Sequence, residues 1–224
     1  MHRWFTEKFK GQRSESFRLG AILATVGGFL DAYTFILRGG VFSNAQTGNI
    51  ALLGICLAEG QWSKSVLYLI PILAFVVGII LVEQVKSRFK NNPQISVHWR
   101  QIVVVFEAVV LLVIAFIPQG RWDIFVNVLV SFVCSLQVES FRKIHGDTYV
   151  TTMCTGNLRS ATELFCRYNE LKDENIRIKS LKYYGVILFF VLGAIMGTIL
   201  SNLLGILSVL FCIVLLGIVF FIMR

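Results

Sequence analysis

The stretch Ser43-Asn44-Ala45-Gln46-Thr47-Gly48-Asn49-Ile50 decides how this chain is read, because its centre occurs twice. Thr47-Gly48-Asn49 returns as Thr155-Gly156-Asn157, and each copy is followed by an apolar residue, Ile50 or Leu158. At the same offset Asp31 aligns with Glu139, Tyr33 with Phe141, Phe42 with Val150, Ser43 with Thr151 and Asn44 with Thr152. After a longer second linker, residues 72–78 align with residues 187–193. A repeat near half the chain length means two related halves rather than a solenoid. Polar, glycine-centred segments at matching places in two hydrophobic halves point to a transporter-like or channel-like centre.

Composition sets the class. The chain has 224 residues, is 56% hydrophobic and 15% charged, and has a mean hydropathy of +0.73. A soluble domain carries about a quarter charged residues, so this chain has too little polar surface to cover a water-soluble globule. It reads as an all-α integral membrane protein. The net charge of +8 sits in the loops between apolar stretches. That placement fits membrane topology and anionic lipid headgroups as partners, and it leaves no role for nucleic acid. Cys56, Cys134, Cys154, Cys166 and Cys212 are scattered and form no CxxC pair, so neither a metal nor a disulfide framework is expected. Residues 1–17 mix Arg3, Lys8, Lys10 and Arg13 with Glu7 and Glu15 and do not read as a cleaved signal. With Trp4, Phe5 and Phe9 they read as an interfacial helix on the inner leaflet or a basic tail.

Apolar spans are expected near residues 19–37, 66–82, 102–117, 124–141, 183–200 and 203–223. The two tripeptide segments are different. Only residues 50–58 of the first are plainly apolar, and at about 1.5 Å per residue they cover less than half of a roughly 30 Å hydrocarbon layer. The second carries Arg159 and Glu163, which suits it poorly to lipid.

Lysine and arginine placement chooses between two topologies. If all eight segments crossed from an inside N-terminus, Lys86, Arg88, Lys90, Arg100, Arg142 and Lys143 would fall outside. If both tripeptide segments dip in and return, those six fall inside with the basic N-terminus, Arg167, Lys172, Arg177, Lys179, Lys182 and Arg224. Only Arg38, Lys64 and Arg121 then remain outside, as the positive-inside rule favours. The expectation is therefore six transmembrane helices plus two short re-entrant half-helices, arranged as two inverted three-span repeats, residues 18–118 and 119–224. Both termini are expected in the cytoplasm of a multi-pass cell-membrane protein.

In the tripeptide, Thr can cap a helix, Gly permits close approach, and Asn offers both a donor and an acceptor. A half-helix beginning at Thr47 aims free N–H groups and a positive dipole end at the centre; two such ends favour an anion or the negative end of a dipole. The bland alternative is that Thr and Asn cap two buried helix ends and lock the halves together. Asp31 and Glu139 are acids inside spans, open to three readings: a coupling proton, a coordinated cation, or structural ion pairs such as Glu139 or Glu163 with Arg159. Glu107 is a third mid-span acid without an acidic counterpart, and a helix–helix hydrogen bond is its other reading. The expected lining of the centre is Asp31, Tyr33, Asn44, Thr47, Gly48, Asn49, Glu139, Thr152, Thr155, Gly156, Asn157 and Arg159. Gly185, Gly193 and Gly197 suit close helix packing, within one chain or in a homo-oligomer. No Walker A loop, HExxH or GxSxG occurs, so no enzyme and no cofactor is expected; an intramembrane thiol nucleophile at Cys154 is the remote exception.

Through Gly27-Gly28-Phe29-Leu30-Asp31-Ala32-Tyr33 and the two tripeptides, the chain resembles the YoaK-type family of small bacterial membrane proteins, over about residues 16–223. The resemblance implies a polytopic inner-membrane protein and no particular substrate. Ser135-Leu136 stands where the first half has Gly27-Gly28, so the halves are not interchangeable. The functional expectation is a transporter or channel for a small solute or ion, centred on the two tripeptides. Its alternative is a non-transporting scaffold or sensor with a structural polar centre.

Overall fold

The computed structural model describes residues 16–90, 99–144, 147–148 and 154–224. The N-terminal segment, His98, His145, Tyr149 and the expected lining residue Thr152 lie outside the described residues.

Eight α-helices make up nearly all of it: α1 (Phe17–Leu37), α2 (Gln46–Ala58), α3 (Trp62–Lys90), α4 (Trp99–Ile114), α5 (Asp123–Ser140), α6 (Cys154–Leu171), α7 (Glu174–Leu204) and α8 (Leu210–Met223). A 3-10 turn, Gly205–Val209, joins α7 to α8. Two two-residue strands, β1 (Lys143–Ile144) and β2 (Asp147–Thr148), pair antiparallel between α5 and α6. Four stretches are long and apolar enough to cross a membrane: Phe17–Leu37, Trp62–Arg88, Asp123–Ser140 and Glu174–Met223. The last is not one rod, because Gly205 adopts φ 58° and takes the chain out of α7. α2 has 13 residues, about 20 Å of helix, too short to span.

Side-chain contacts fix helix directions. α1 and α7 run parallel: Phe17 meets Gly185 and Phe189, Thr25 meets Gly193, and Phe29 and Ala32 meet Gly197. A Cβ on Gly193 would collide with the Thr25 backbone, and one on Gly28 with the Phe190 carbonyl. Glycines four apart on α7 thus let two backbones touch, as their spacing suggests. α3 and α5 also run parallel, with Gly78 against Phe132 and Ser135, and Lys86 beside Glu139. By contrast α1 and α5 run antiparallel. Gln137 Nε2 donates to the Leu23 carbonyl at one end, and Arg38 meets Asp123 at the other.

Two faces follow. One carries Arg38, the α4–α5 turn and the start of α5; the other carries Glu139, Lys86 and Arg142. α1 and α4 end on the Arg38 face. Because α3 is parallel to α5, it also begins there. The buried apolar core lies between α1, α4, α5 and α8, built from residues such as Phe29, Leu30, Leu111, Val130, Cys134, Cys212 and Leu216. A second cluster joins Ala24, Ala161, Tyr183 and Val186 across α1, α6 and α7.

Candidate functional site

The polar centre is built by the chain that follows α1. Arg38 ends that helix, and Gly39 and Gly40, at φ 84° and 74°, turn the chain back. Arg38 is fully buried. Its Nε and Nη2 donate to Tyr33 Oη at 3.2 and 2.8 Å, and Nη2 also donates to the Ile117 carbonyl at 2.9 Å. Its Nη1 reaches the Pro118 carbonyl and Asp123 Oδ1, both at 3.2 Å. This clamp ties α1 to the α4–α5 turn, and a planar five-donor guanidinium suits it where a lysine would not. Nothing in the repeat marked Arg38; a single arginine among few outer charges was the one available signal.

Past the glycines the chain re-enters between α1 and α5. Asn127 Nδ2 donates to the Arg38 carbonyl at 2.8 Å, and Ser43 Oγ donates to Asn127 Oδ1 at 3.0 Å. Ser131 Oγ donates to the Ser43 carbonyl and accepts from Gln46 Nε2. Ser43 N donates to Thr34 Oγ1. Non-helical backbone at depth is tolerated when protein groups satisfy it in this way. Ser131, Asn127 and Gln46 belong to the site, although the repeat alignment left the two α5 residues out.

At the bottom of the re-entry, Asp31 Oδ1 accepts the backbone N–H groups of Asn44 at 2.9 Å and Ala45 at 3.3 Å. α2 starts at the next residue. The position in front of its positive end is therefore held by a carboxylate of the chain itself. An anion at this position would have to displace the Asp31 carboxyl oxygen from those N–H groups. The structure corrects the expected helix start. α2 begins at Gln46, Ala45 occupies the cap position without a side-chain bond, and Thr47 is exposed in the first turn.

The tripeptides divide the same way in both copies. Asn49 and Asn157 are buried, whereas Thr47, Thr155 and Gly156 are exposed and Gly48 is half-buried. Asn49 Nδ2 donates to the Phe42 carbonyl at 2.7 Å and to Gln46 Oε1 at 3.1 Å. The asparagine, not the threonine, ties each segment inward. α6 brings its first residue, Cys154, within electrostatic reach of Asp31, so the starts of α2 and α6 both approach this acid.

Other expected lining residues lie elsewhere. Tyr33 is buried, with its hydroxyl engaged by Arg38. Glu139 is on the opposite face, pairing with Arg142 at 3.2 Å and Lys86 at 3.6 Å. It does not meet Asp31, because antiparallel packing of α1 and α5 sends equivalent positions to opposite ends. Arg159 is exposed and is not the partner of Glu139. A two-residue turn folds α6 onto α7, where Ser180 Oγ donates to the Ala161 carbonyl at 2.7 Å. Arg159 and Glu163 therefore stand level with the polar start of α7.

Buried side-chain polar atoms without a hydrogen-bond partner among the described residues occur on Asn44, Asn49, Glu107, Gln137 and Ser140. Among the described residues, neither polar side-chain atom of Asn44, nor Asn49 Oδ1, has a hydrogen-bond partner, although both residues are buried. A buried amide without partners calls for water or a ligand. Among the described residues, no group of three or more His, Cys, Asp or Glu has metal-binding geometry.

A family model described as "Protein of unknown function (DUF1275)" matches residues 19–222. Over 183 residues the chain is 26% identical to the UPF0700 transmembrane protein YoaK of Bacillus subtilis (strain 168), covering 78% of this chain and 79% of that protein. No solved structure matches.

Proposed function

The chain belongs to the DUF1275 family, a YoaK-type family of membrane proteins, and from that premise we propose that it moves a small neutral or cationic hydrogen-bonding solute across the bacterial cytoplasmic membrane. The observation that carries this is the Asn44 amide, without a hydrogen-bond partner among the described residues and buried beside Asp31 near the starts of the 13-residue α2 and the 18-residue α6. Its free donor and acceptor, with the free Asn49 Oδ1, make a small polar site richer in acceptors than donors. With Asp31 in front of α2, such a site repels anions and accepts donors.

The proposal includes two inverted halves. α1, α3 and α4 cross in the first, α5, α7 and α8 in the second, and α2 and α6 dip from opposite faces. The packing supports this, because it is preserved when the halves are exchanged. α1 on α7 becomes α5 on α3; α2 on α3 becomes α6 on α7; α1 on α8 becomes α5 on α4; and α4 on α8 maps to itself. The antiparallel run of α1 and α5 fits inversion, and a parallel repeat would require the reverse. The Glu139 face, rich in basic residues, is then cytoplasmic.

The experiment is flux of methylammonium, sodium ion or glycerol into proteoliposomes. The expected outcome is flux of at least one of these in the native protein, abolished in Asn44→Ala and in Asn49→Ala with folding retained. If the native protein moves none of them and both variants only lower thermal stability, the polar centre is structural and the scaffold reading replaces this one. Cysteine accessibility at positions 18, 88 and 224 tests the topology: reaction of all three from one side supports dipping helices, and reaction of position 88 from the side opposite to 18 and 224 overturns them.

A further inference from the structure

Glu107 lies outside the Asp31 site and has no part in the reading above. It sits midway along α4, fully buried, and neither carboxyl oxygen has a hydrogen-bond partner among the described residues. The groups facing it are thiols: Cys134 on α5 and Cys212 on α8 are within electrostatic reach of it. From α1, the Tyr33 hydroxyl is turned to Arg38, and Asp31 acts on Cys134 but is engaged by the Asn44 and Ala45 N–H groups. Among the described residues, no ion pair reaches Glu107. An ionised carboxylate in hydrocarbon with neither a hydrogen bond nor a counter-ion is not a tolerable occupant; the neutral acid is.

Its place in the fold gives this consequence. α4 and α8 pack on each other, and in the two-halves arrangement proposed above, on which the term seam rests, they are counterparts where the halves join. The acid is therefore at the seam. We propose that Glu107 is a proton-binding site that holds the seam of α4, α5 and α8 closed when protonated and opens it when the proton leaves to water. Closed, the side chain fits among Val104, Leu111, Cys134 and Cys212. Ionised, it must find water, and the adjoining helices must part to admit it.

The two neighbouring cysteines report on this directly. The full chain, reconstituted in liposomes, is treated with N-ethylmaleimide at about pH 6 and about pH 9, where an ordinary glutamate is ionised throughout. Alkylation of Cys134 and Cys212 is read peptide by peptide, in the native protein and in Glu107→Gln. The amide keeps the shape and cannot ionise, so dividing native by variant rates at each pH removes the ordinary rise of thiol reactivity. The expected ratio is near one at pH 6 and several-fold above one at pH 9; a ratio of one at both overturns the proposal. A second measurement needs no variant. Dicyclohexylcarbodiimide adds to protonated carboxyls in apolar surroundings, and its adduct on Glu107 is expected to form several-fold faster at pH 6 than at pH 9. No adduct there, or a rate indifferent to pH, also overturns it. Neither measurement depends on any solute being moved, so this can fail while the transport reading stands, and the reverse.

Discussion

Asp31 and Glu139 hold the same place in the two halves and have become different devices. Asp31 is buried and spends one carboxylate oxygen on the backbone N–H groups that lead into α2. Glu139 lies at the end of α5, held by Arg142 and Lys86, whose side chains are 53% and 41% exposed. One acid organises a re-entrant segment; the other joins a surface ion-pair knot between α3 and α5. Because α1 and α5 run antiparallel, the two aligned acids lie apart, and the repeat in sequence did not produce a repeated site.

The difference between the two faces can be broken first at its strongest point. Arg38→Met leaves Asp123, the Tyr33 hydroxyl and two carbonyls without their donor, and is expected to lower stability by about 3 kcal/mol. Arg142→Met, on the opposite face, is expected to lower it by less than about 1 kcal/mol. Chemical unfolding in detergent measures both, and equal effects would erase the distinction between clamp and knot.

The acids themselves come next. Asp31→Asn puts an amide, half of it donor, where a carboxyl oxygen accepts two backbone bonds, and is expected to lower stability by about 1–3 kcal/mol. Glu139→Gln is expected to change it by about 0.2–1 kcal/mol. The same unfolding assay reads them, and a larger effect at Glu139 reverses the assignment of roles.

Helix packing sharpens the comparison further. Gly193→Ala pushes a methyl into the Thr25 backbone, and a loss of about 1–3 kcal/mol is expected. Gly156→Ala places the same methyl in open space within a helix, where a gain of up to about 1 kcal/mol is expected. The smallest contrast lies inside one tripeptide. Asn49→Ala removes two inward hydrogen bonds and is expected to cost about 1–2 kcal/mol, while the exposed Thr47→Ala stays within about 0.5 kcal/mol. Thermal unfolding of the four variants in one detergent ranks them.

Much of the fold was legible because hydrocarbon is a stern solvent. Apolar stretches near residues 19–37, 66–82, 102–117 and 124–141 fall on α1, α3, α4 and α5 within a few residues, except that α3 runs on through polar residues to Lys90. The polar start of α7 was hidden for the same reason: Glu174 to Lys182 is charged, and only its continuity with the apolar part makes it one helix. In the site, the tripeptide drew attention to the right segments and to the wrong atom. Thr47 has the side chain of a cap, but the helix begins one residue earlier, and Asp31, far back in sequence, supplies the oxygen.

The sequence by itself determined that this is an all-helical membrane protein and where its repeated polar segments lie, because hydrophobic length and repetition are properties of the linear chain. Only the tertiary structure decided which polar residues are buried together, since that depends on helix direction. Antiparallel packing of α1 on α5 sets Arg38 against Asp123, places Ser43 and Gln46 against Asn127 and Ser131, and carries Glu139 to the far face. No local pattern records the direction in which two distant helices will pass each other.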